Sequence, residues 1–200
     1  MVGNFFGLSD DSATQLRVAV NMRLREEAAT ASDQSEVLFD RLIRSFLVDS
    51  FTQAGADEGT VWLLDQPREA LVPVFNSGPK ASEFVGTFRQ TLRSGMISMV
   101  VATEQPICEN ELHLNQQQDP TLDRQLNLQT CAMVAAPFYF AGELRGVVSA
   151  VQLRKGDACL NDREGFGYED LQAVQRSASI LGLLLEHRLI TSSLSMSKWD

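Results

Sequence analysis

The sequence predicts a mixed α/β domain built on an antiparallel sheet, and three stretches predict it. From Ala132 to Val148 an apolar, aromatic arm stops at Ala141-Gly142, and a second arm resumes with Val147, Val148 and Val151. Strand, tight turn and strand is the pattern of an antiparallel hairpin. Thr60 to Leu64, rich in β-branched and aromatic residues, runs into the turn Asp65-Gln66-Pro67 and returns as Ala70 to Phe75, which reads as a second strand pair. From Tyr168 to about Ile190 the residues Leu171, Val174, Ala178, Leu181 and Leu185 recur in steps of three and four, the period of an amphipathic helix.

Pro137 constrains the first hairpin arm. A proline donates no ladder hydrogen bond, so this arm is expected at a sheet edge or is expected to leave the ladder there. Ahead of the strands lie two helical patterns. Leu16, Val20 and Leu24 share a face between Asp10 and Ala29, and after Thr30-Ala31-Ser32-Asp33 a second helix is expected to open near Ser35. It would run through Leu38, Leu42, Phe46 and Phe51, capped by Asp33 or Ser35 and stopped by Gly55 in a left-handed conformation. Residues 77–94 are ambiguous: Phe84, Phe88 and Leu92 are spaced four apart as in a helix, yet Ser77-Gly78-Pro79 opens the segment as a loop. A short helix from Gly95 through Ile97, Val100 and Val101 leads to a strand at Pro106 to Cys108. The polar stretch from Glu109 to Gln129 reads as a long loop, and such loops carry function or stay mobile.

Composition fits one domain. A chain of 200 residues, 44% of them hydrophobic, buries a core without staples. The formal net charge of −9 opposes a nucleic-acid footprint, which needs a basic face. No window reaches the roughly 20 apolar residues of a bilayer span, and no signal-peptide pattern opens the chain, so a cytoplasmic protein is expected. Cys108, Cys131 and Cys159 lack CxxC spacing and are expected to be reduced thiols. Neither a disulfide framework nor a metal site is indicated, and His113 and His187 lie in unrelated contexts. Phosphate-loop, dinucleotide and nucleophile-elbow motifs do not occur.

The closing helix carries a second apolar side, at Ile180, Leu183 and Leu184. One sheet covers only one side of a helix. The preferred expectation is that the terminal helices of two copies pack together in a homodimer; the alternative is cover by the N-terminal helices of the same chain. Thr191 to Asp200 is Ser-rich and is expected to fray.

In order along the chain, Gly95-Met96-Ile97, Thr103-Glu104-Gln105-Pro106-Ile107, Pro137 with Gly142-Glu143-Leu144 and Gly146-Val147-Val148, and Phe166-Gly167-Tyr168-Glu169-Asp170-Leu171 together resemble the GAF domain family, over about residues 35–190. The resemblance implies a central antiparallel sheet of five or six strands with N- and C-terminal helices on one face and a small-molecule pocket on the other. It divides the chain into an N-terminal helix and connector (1–34), the GAF-like domain (35–190) and a flexible tail (191–200). It also implies a non-enzymatic sensory module that binds a small molecule and signals through its terminal helices. Candidate ligand-binding residues at strand ends and loops over the open sheet face are Phe75, Ile97, Ser98, Asn110, Asp119, Thr130 and Met133.

Departures from branches of the family narrow the chemistry. Members that reduce free methionine sulfoxide place a cysteine at the helix start, where this chain reads Gly95-Met96-Ile97-Ser98, and others in the loop that here spans Glu109 to Thr130 and contains none. Bilin-attaching members pair Cys with His, and no Cys-His occurs. Members that bind cyclic nucleotides share an Asn-Lys, Phe-x-x-x-Asp-Glu pattern. Lys155, Phe166 and Asp170 fit it, whereas Arg154 and Leu171 do not, so a cyclic nucleotide stays a candidate ligand on partial matching. The alternatives carried forward are a thiol-dependent methionine sulfoxide reductase and an interaction domain without ligand.

Overall fold

The computed structural model describes residues 14–15, 18, 22, 25–26, 38–66, 68–154 and 165–196, with side chains through Thr191. Helix α1 (Arg41–Gln53) precedes strands β1 (Glu58–Leu64), β2 (Ala70–Asn76) and β3 (Gln90–Thr91). Helix α2 (Met96–Thr103), β4 (Ile107–Glu109), α3 (Thr121–Leu126), β5 (Thr130–Phe140), β6 (Glu143–Leu153) and α4 (Tyr168–Met196) follow. The six strands form one sheet in the order β3-β2-β1-β6-β5-β4, every pair antiparallel.

Local chemistry sets these boundaries. Helix α1 opens later than the periodicity predicts, because Asp40 accepts a hydrogen bond from Ile43 N at 2.9 Å and so satisfies one of the free amides of the first turn. Its other carboxylate oxygen pairs with Arg188 of α4. The expected caps Asp33 and Ser35 lie outside the described residues, as do Leu16, Val20 and Leu24 of the first helical pattern. Gly55 takes φ +68°, the left-handed terminus that its position suggests. The β5–β6 hairpin turns at Ala141 and Gly142, both at positive φ, as a two-residue turn that matches strand twist requires.

Pro137 does not place β5 at the edge. It pairs with Val147 of β6, but β4 pairs with β5 only through Ala135, so the missing donor falls where β5 has lost its outer neighbour. Pro73 in β2 follows the same rule, two residues beyond the last β3 pairing at Leu71.

One face of the sheet carries α1 and α4. Ile43, Leu47 and Phe51 of α1 meet Val174, Ala178, Leu181, Leu185 and Leu189 of α4 over Val61, Val134, Phe138 and Val148. Helix α4 extends past the expected end at Ile190, so residues 191–196 of the presumed frayed tail are helical. Trp199 lies outside the described residues. The opposite face has a smaller apolar patch of Trp62, Leu71, Ile97, Val100, Ala135 and Val147. No helix among the described residues is long and apolar enough to cross a membrane.

Candidate functional site: a roofed cavity on the open sheet face

Facing away from α1 and α4, β1 presents Glu58, Thr60 and Trp62 in strand alternation. Thr60 stands opposite Asn76 of β2 on one side and Ser149 of β6 on the other, so a row of three polar side chains crosses an otherwise apolar sheet. All three are buried. Buried polar groups need partners, and these find one another: Asn76 Nδ2 donates to Thr60 Oγ1 at 2.9 Å, and the Trp62 indole N–H donates to Ser149 Oγ at 3.0 Å.

Above this floor lies a cavity of about 90 Å³, room for roughly seven water-sized groups. Phe84, Gln90, Met96 and Ile97 wall it, and Leu112, Gln118, Asp119, Leu122, Asp123 and Leu126 roof it. The roof is the stretch that the sequence presents as a loop. It contains a 3₁₀ turn at Leu112–Leu114 and α3, because Leu112 and Leu126 find buried positions although isolated apolar residues in polar sequence give no readable period. The ambiguous 77–94 segment forms no α-helix either. A 3₁₀ turn at Ala81–Glu83 leads to β3, with Phe84 turned into the cavity and Phe88 edge-on to Trp62 at 6.3 Å between ring centroids.

Aspartates fix the roof. Asp123 accepts from Thr130 N at 2.8 Å and Thr130 Oγ1 at 2.9 Å, and Gln118 Nε2 donates to it at 3.3 Å. Asp119 accepts from Gln90 Nε2 and Ser94 Oγ, each at 3.1 Å. Hydrogen bonds from Thr121, Gln90 and Ser94 hold the Asp119 carboxyl below its ordinary range, the expected effect of donors on an ionised acceptor. Lys80 Nζ donates to the Leu126 carbonyl and ties down the end of α3.

Glu58 behaves oppositely. Burial pushes its carboxyl above the ordinary value, with Asp57 and Asp123 adding to the rise while the Asn76 hydrogen bond and Lys80 oppose it. A folded-state pKa above the unfolded one means that the folded chain holds the extra proton. Stability from this group is therefore full at acid pH and is lost as pH rises from the ordinary carboxyl range through the raised value. Glu58→Gln is expected to melt above the parent at pH 7, with the difference vanishing below about pH 4. A melting difference that is the same at every pH would contradict this.

Of the residues expected at the site, Ile97, Asp119, Thr130 and Met133 line the cavity. Ser98, in the first turn of α2, donates to Thr91 O at 2.7 Å and lines a shallower outer groove of about 410 Å³ together with Gln116, Gln117 and Gln118. Asn110 is outside the cavity and clamps the chain ahead of α4, its amide bonding both Phe166 N (2.8 Å) and Phe166 O (3.0 Å).

Phe75 is on the opposite face. It stacks on Phe39 at 6.4 Å within the helix-side core. The cause is a β-bulge: Val61 pairs with Phe75 but Trp62 pairs with Pro73, so Val74 and Phe75 both turn toward the helices and Asn76 takes the cavity position. Glu58, Thr60, Asn76 and Ser149 escape a sequence reading that starts β1 at Thr60. Their signal is polarity at alternate positions of apolar strands.

Phe166 belongs to the helix-side core, and Asp170 accepts from Gly167 N at 2.8 Å at the start of α4. Neither lines the cavity, and Lys155 and Cys159 lie outside the described residues. Burial and the neighbouring Asp170 and Glu109 push the Cys108 thiol upward, away from the thiolate that thiol chemistry requires. Cys131 is buried.

A six-stranded antiparallel sheet with helices on one face and a roofed cavity on the other defines a class of small α/β domain. The sequence places the chain in it: the GAF domain profile matches residues 39–185, and the chain belongs to that family. No curated protein matches the chain. Among solved structures, the GAF domain of a phosphoenolpyruvate-protein phosphotransferase from Coxiella burnetii is similar at TM-score 0.60 and 18% identity, covering 88% of this chain and 96% of that one. The GAF-B domain of DevS from Mycobacterium smegmatis gives 0.56 and 20%, covering 82% and 99%. The PixJ GAF domain from Thermosynechococcus elongatus, in its blue-light-absorbing form, gives 0.59 and 12%, covering 84% and 95%. At these identities the likeness shows the fold alone.

Proposed function

We propose that this domain senses a small molecule held between the sheet and the roof over residues 110–129, and transmits occupancy through its terminal helices in a homodimer. The observation that carries the proposal is the buried polar row Asn76–Thr60–Ser149 beneath a roofed cavity. These side chains are held in place by hydrogen bonds to their neighbours and line a space the chain leaves unfilled, where a bound molecule reaches their remaining hydrogen-bonding capacity.

The route outward runs through Asn110, which begins the roof and clamps Phe166 just ahead of α4. A ligand that favours one roof position biases the helix by its differential affinity for the two arrangements. Ile180 and Leu183 of α4 are exposed, as are Leu42 and Val48 of α1. This apolar surface suits a second copy of the same helices.

Thermal denaturation across a panel of small metabolites tests ligand binding. At least one compound is expected to stabilise the parent and to leave a cavity-filling Thr60→Phe variant unmoved. Sedimentation tests the helix face: Leu183→Glu is expected to shift the domain to monomer. Equal stabilisation of parent and Thr60→Phe, or a dimer unaffected by Leu183→Glu, would overturn the corresponding half.

A further inference from the structure

The cavity shows an imbalance between donors and acceptors. Most of its side-chain donors are engaged within the protein: Asn76 Nδ2 with Thr60, Gln90 Nε2 with Asp119 and Ser94 O, the Trp62 indole with Ser149, and Thr130 Oγ1 and Gln118 Nε2 with Asp123; the Thr60 and Ser149 hydroxyls accept in these bonds and keep their own protons to donate. Its acceptors include three carboxylates, Glu58 in the floor and Asp119 and Asp123 in the roof. Among the described residues no lysine or arginine lines the cavity. Among the described residues none of the three carboxylates forms an ion pair, since the pairs that do form use Glu143, Asp65 and Asp40.

Glu58 is the sharpest case. It is only 7% exposed, takes a side-chain hydrogen bond from Asn76, and is influenced by the Lys80 charge. The Lys80 ammonium is engaged by the Leu126 carbonyl. Gly78 packs flat against the Glu58 carboxylate, where a Cβ would lie 2.1 Å from Cδ, so on that side the carboxylate is covered by backbone. A buried carboxylate without a cation is costly, and its cost falls when a cation arrives.

We propose that the cavity takes a small organic cation, a primary amine or guanidine of roughly seven non-hydrogen atoms, with its charged head between Glu58 and Asp123 and its apolar part against Trp62 and Phe84. This rests on the reading of the cavity as a ligand site and adds the charge class of the guest. A donor-rich cationic head meets the surplus acceptors, and the aromatic walls suit both an alkyl chain and a cation. Among the described residues an anionic guest, a cyclic phosphate included, would meet three carboxylates and no cationic side chain. Gly95 and Gln118 line both the cavity and the outer groove.

Calorimetric titration of the full chain with pentylamine and butylguanidine, against pentanol and pentanoate of matched length, tests the proposal. The two cations are expected to bind at one site per chain at least tenfold more tightly than pentanol, with no heat from pentanoate. Glu58→Gln, and Asp123→Asn as a second variant, are each expected to weaken pentylamine tenfold or more while circular dichroism shows an unchanged fold. Pentanol or pentanoate binding as tightly as pentylamine, or full pentylamine affinity in both variants, would overturn it. If the metabolite panel yields a neutral or anionic ligand that Thr60→Phe excludes while the cations give no heat, the charge assignment fails and the ligand site stands. If no compound of any charge distinguishes the parent from Thr60→Phe, the site itself fails.

Discussion

The Gly146→Ala variant is expected to lose about 3 kcal/mol of stability or more, a fall of roughly 6–12 °C in Tm for a domain of this size. Gly146 sits in β6, opposite Leu63 of β1 and Phe138 of β5. A Cβ there would lie 1.8 Å from the Trp62 carbonyl oxygen and 2.8 Å from its carbon. The obstacle is backbone, which cannot rotate away as a side chain can. Strand β6 cannot retreat either, because it is hydrogen-bonded on both sides along most of its length. The clash therefore strains the β1–β6 ladder that carries Trp62, Thr60 and Ser149, and the cavity floor is disturbed together with the fold. Urea melts of the two proteins measure the loss, and a cost under about 1 kcal/mol would show that the two strands do not approach so closely.

The second large effect is expected at Gly182, where two contributions oppose one another and the sign decides. Glycine in a helix interior is about 1 kcal/mol worse than alanine, so helix propensity alone predicts that Gly182→Ala stabilises the domain. The structure predicts the reverse. A Cβ at 182 would stand 2.1 Å from the Tyr139 carbonyl oxygen of β5, between Leu181 and the turn that brings Leu185 into the core. Because α4 can lift as a unit, the expected net cost is smaller than at Gly146, about 1–2 kcal/mol. The displacement would appear as faster amide exchange along α4 and a lower melting temperature. A Gly182→Ala variant more stable than the parent would contradict the close packing of α4 on β5.

The elements with a strong period were legible from sequence alone. The 132–151 hairpin, the 60–75 strand pair and the closing helix stand where alternation and the three-four spacing put them, since each buries one continuous face. What was illegible depended on tertiary partners. The bulge at Val61/Trp62 leaves no mark in the sequence, yet it moves Phe75 to the helix face and installs Asn76 in the cavity. The roof helices contribute only Leu112, Leu122 and Leu126 as cover, too few to establish a period. The start of α1 follows from Asp40, whose partner Arg188 is distant in the chain. The cavity floor was half visible: Thr130 and Met133 follow from strand ends over the open face, whereas Glu58, Thr60 and Ser149 needed the register of three strands to bring them together.

Native mass spectrometry of the protein, equilibrated with a small-molecule extract of cells, tests most directly that the face of the sheet turned away from α1 and α4 holds a guest. The parent is predicted to carry a small-molecule adduct at one copy per chain, and Thr60→Phe to appear bare in the same extract. Identical bare spectra for the two proteins, or an adduct retained when Thr60 is replaced by phenylalanine, would contradict it.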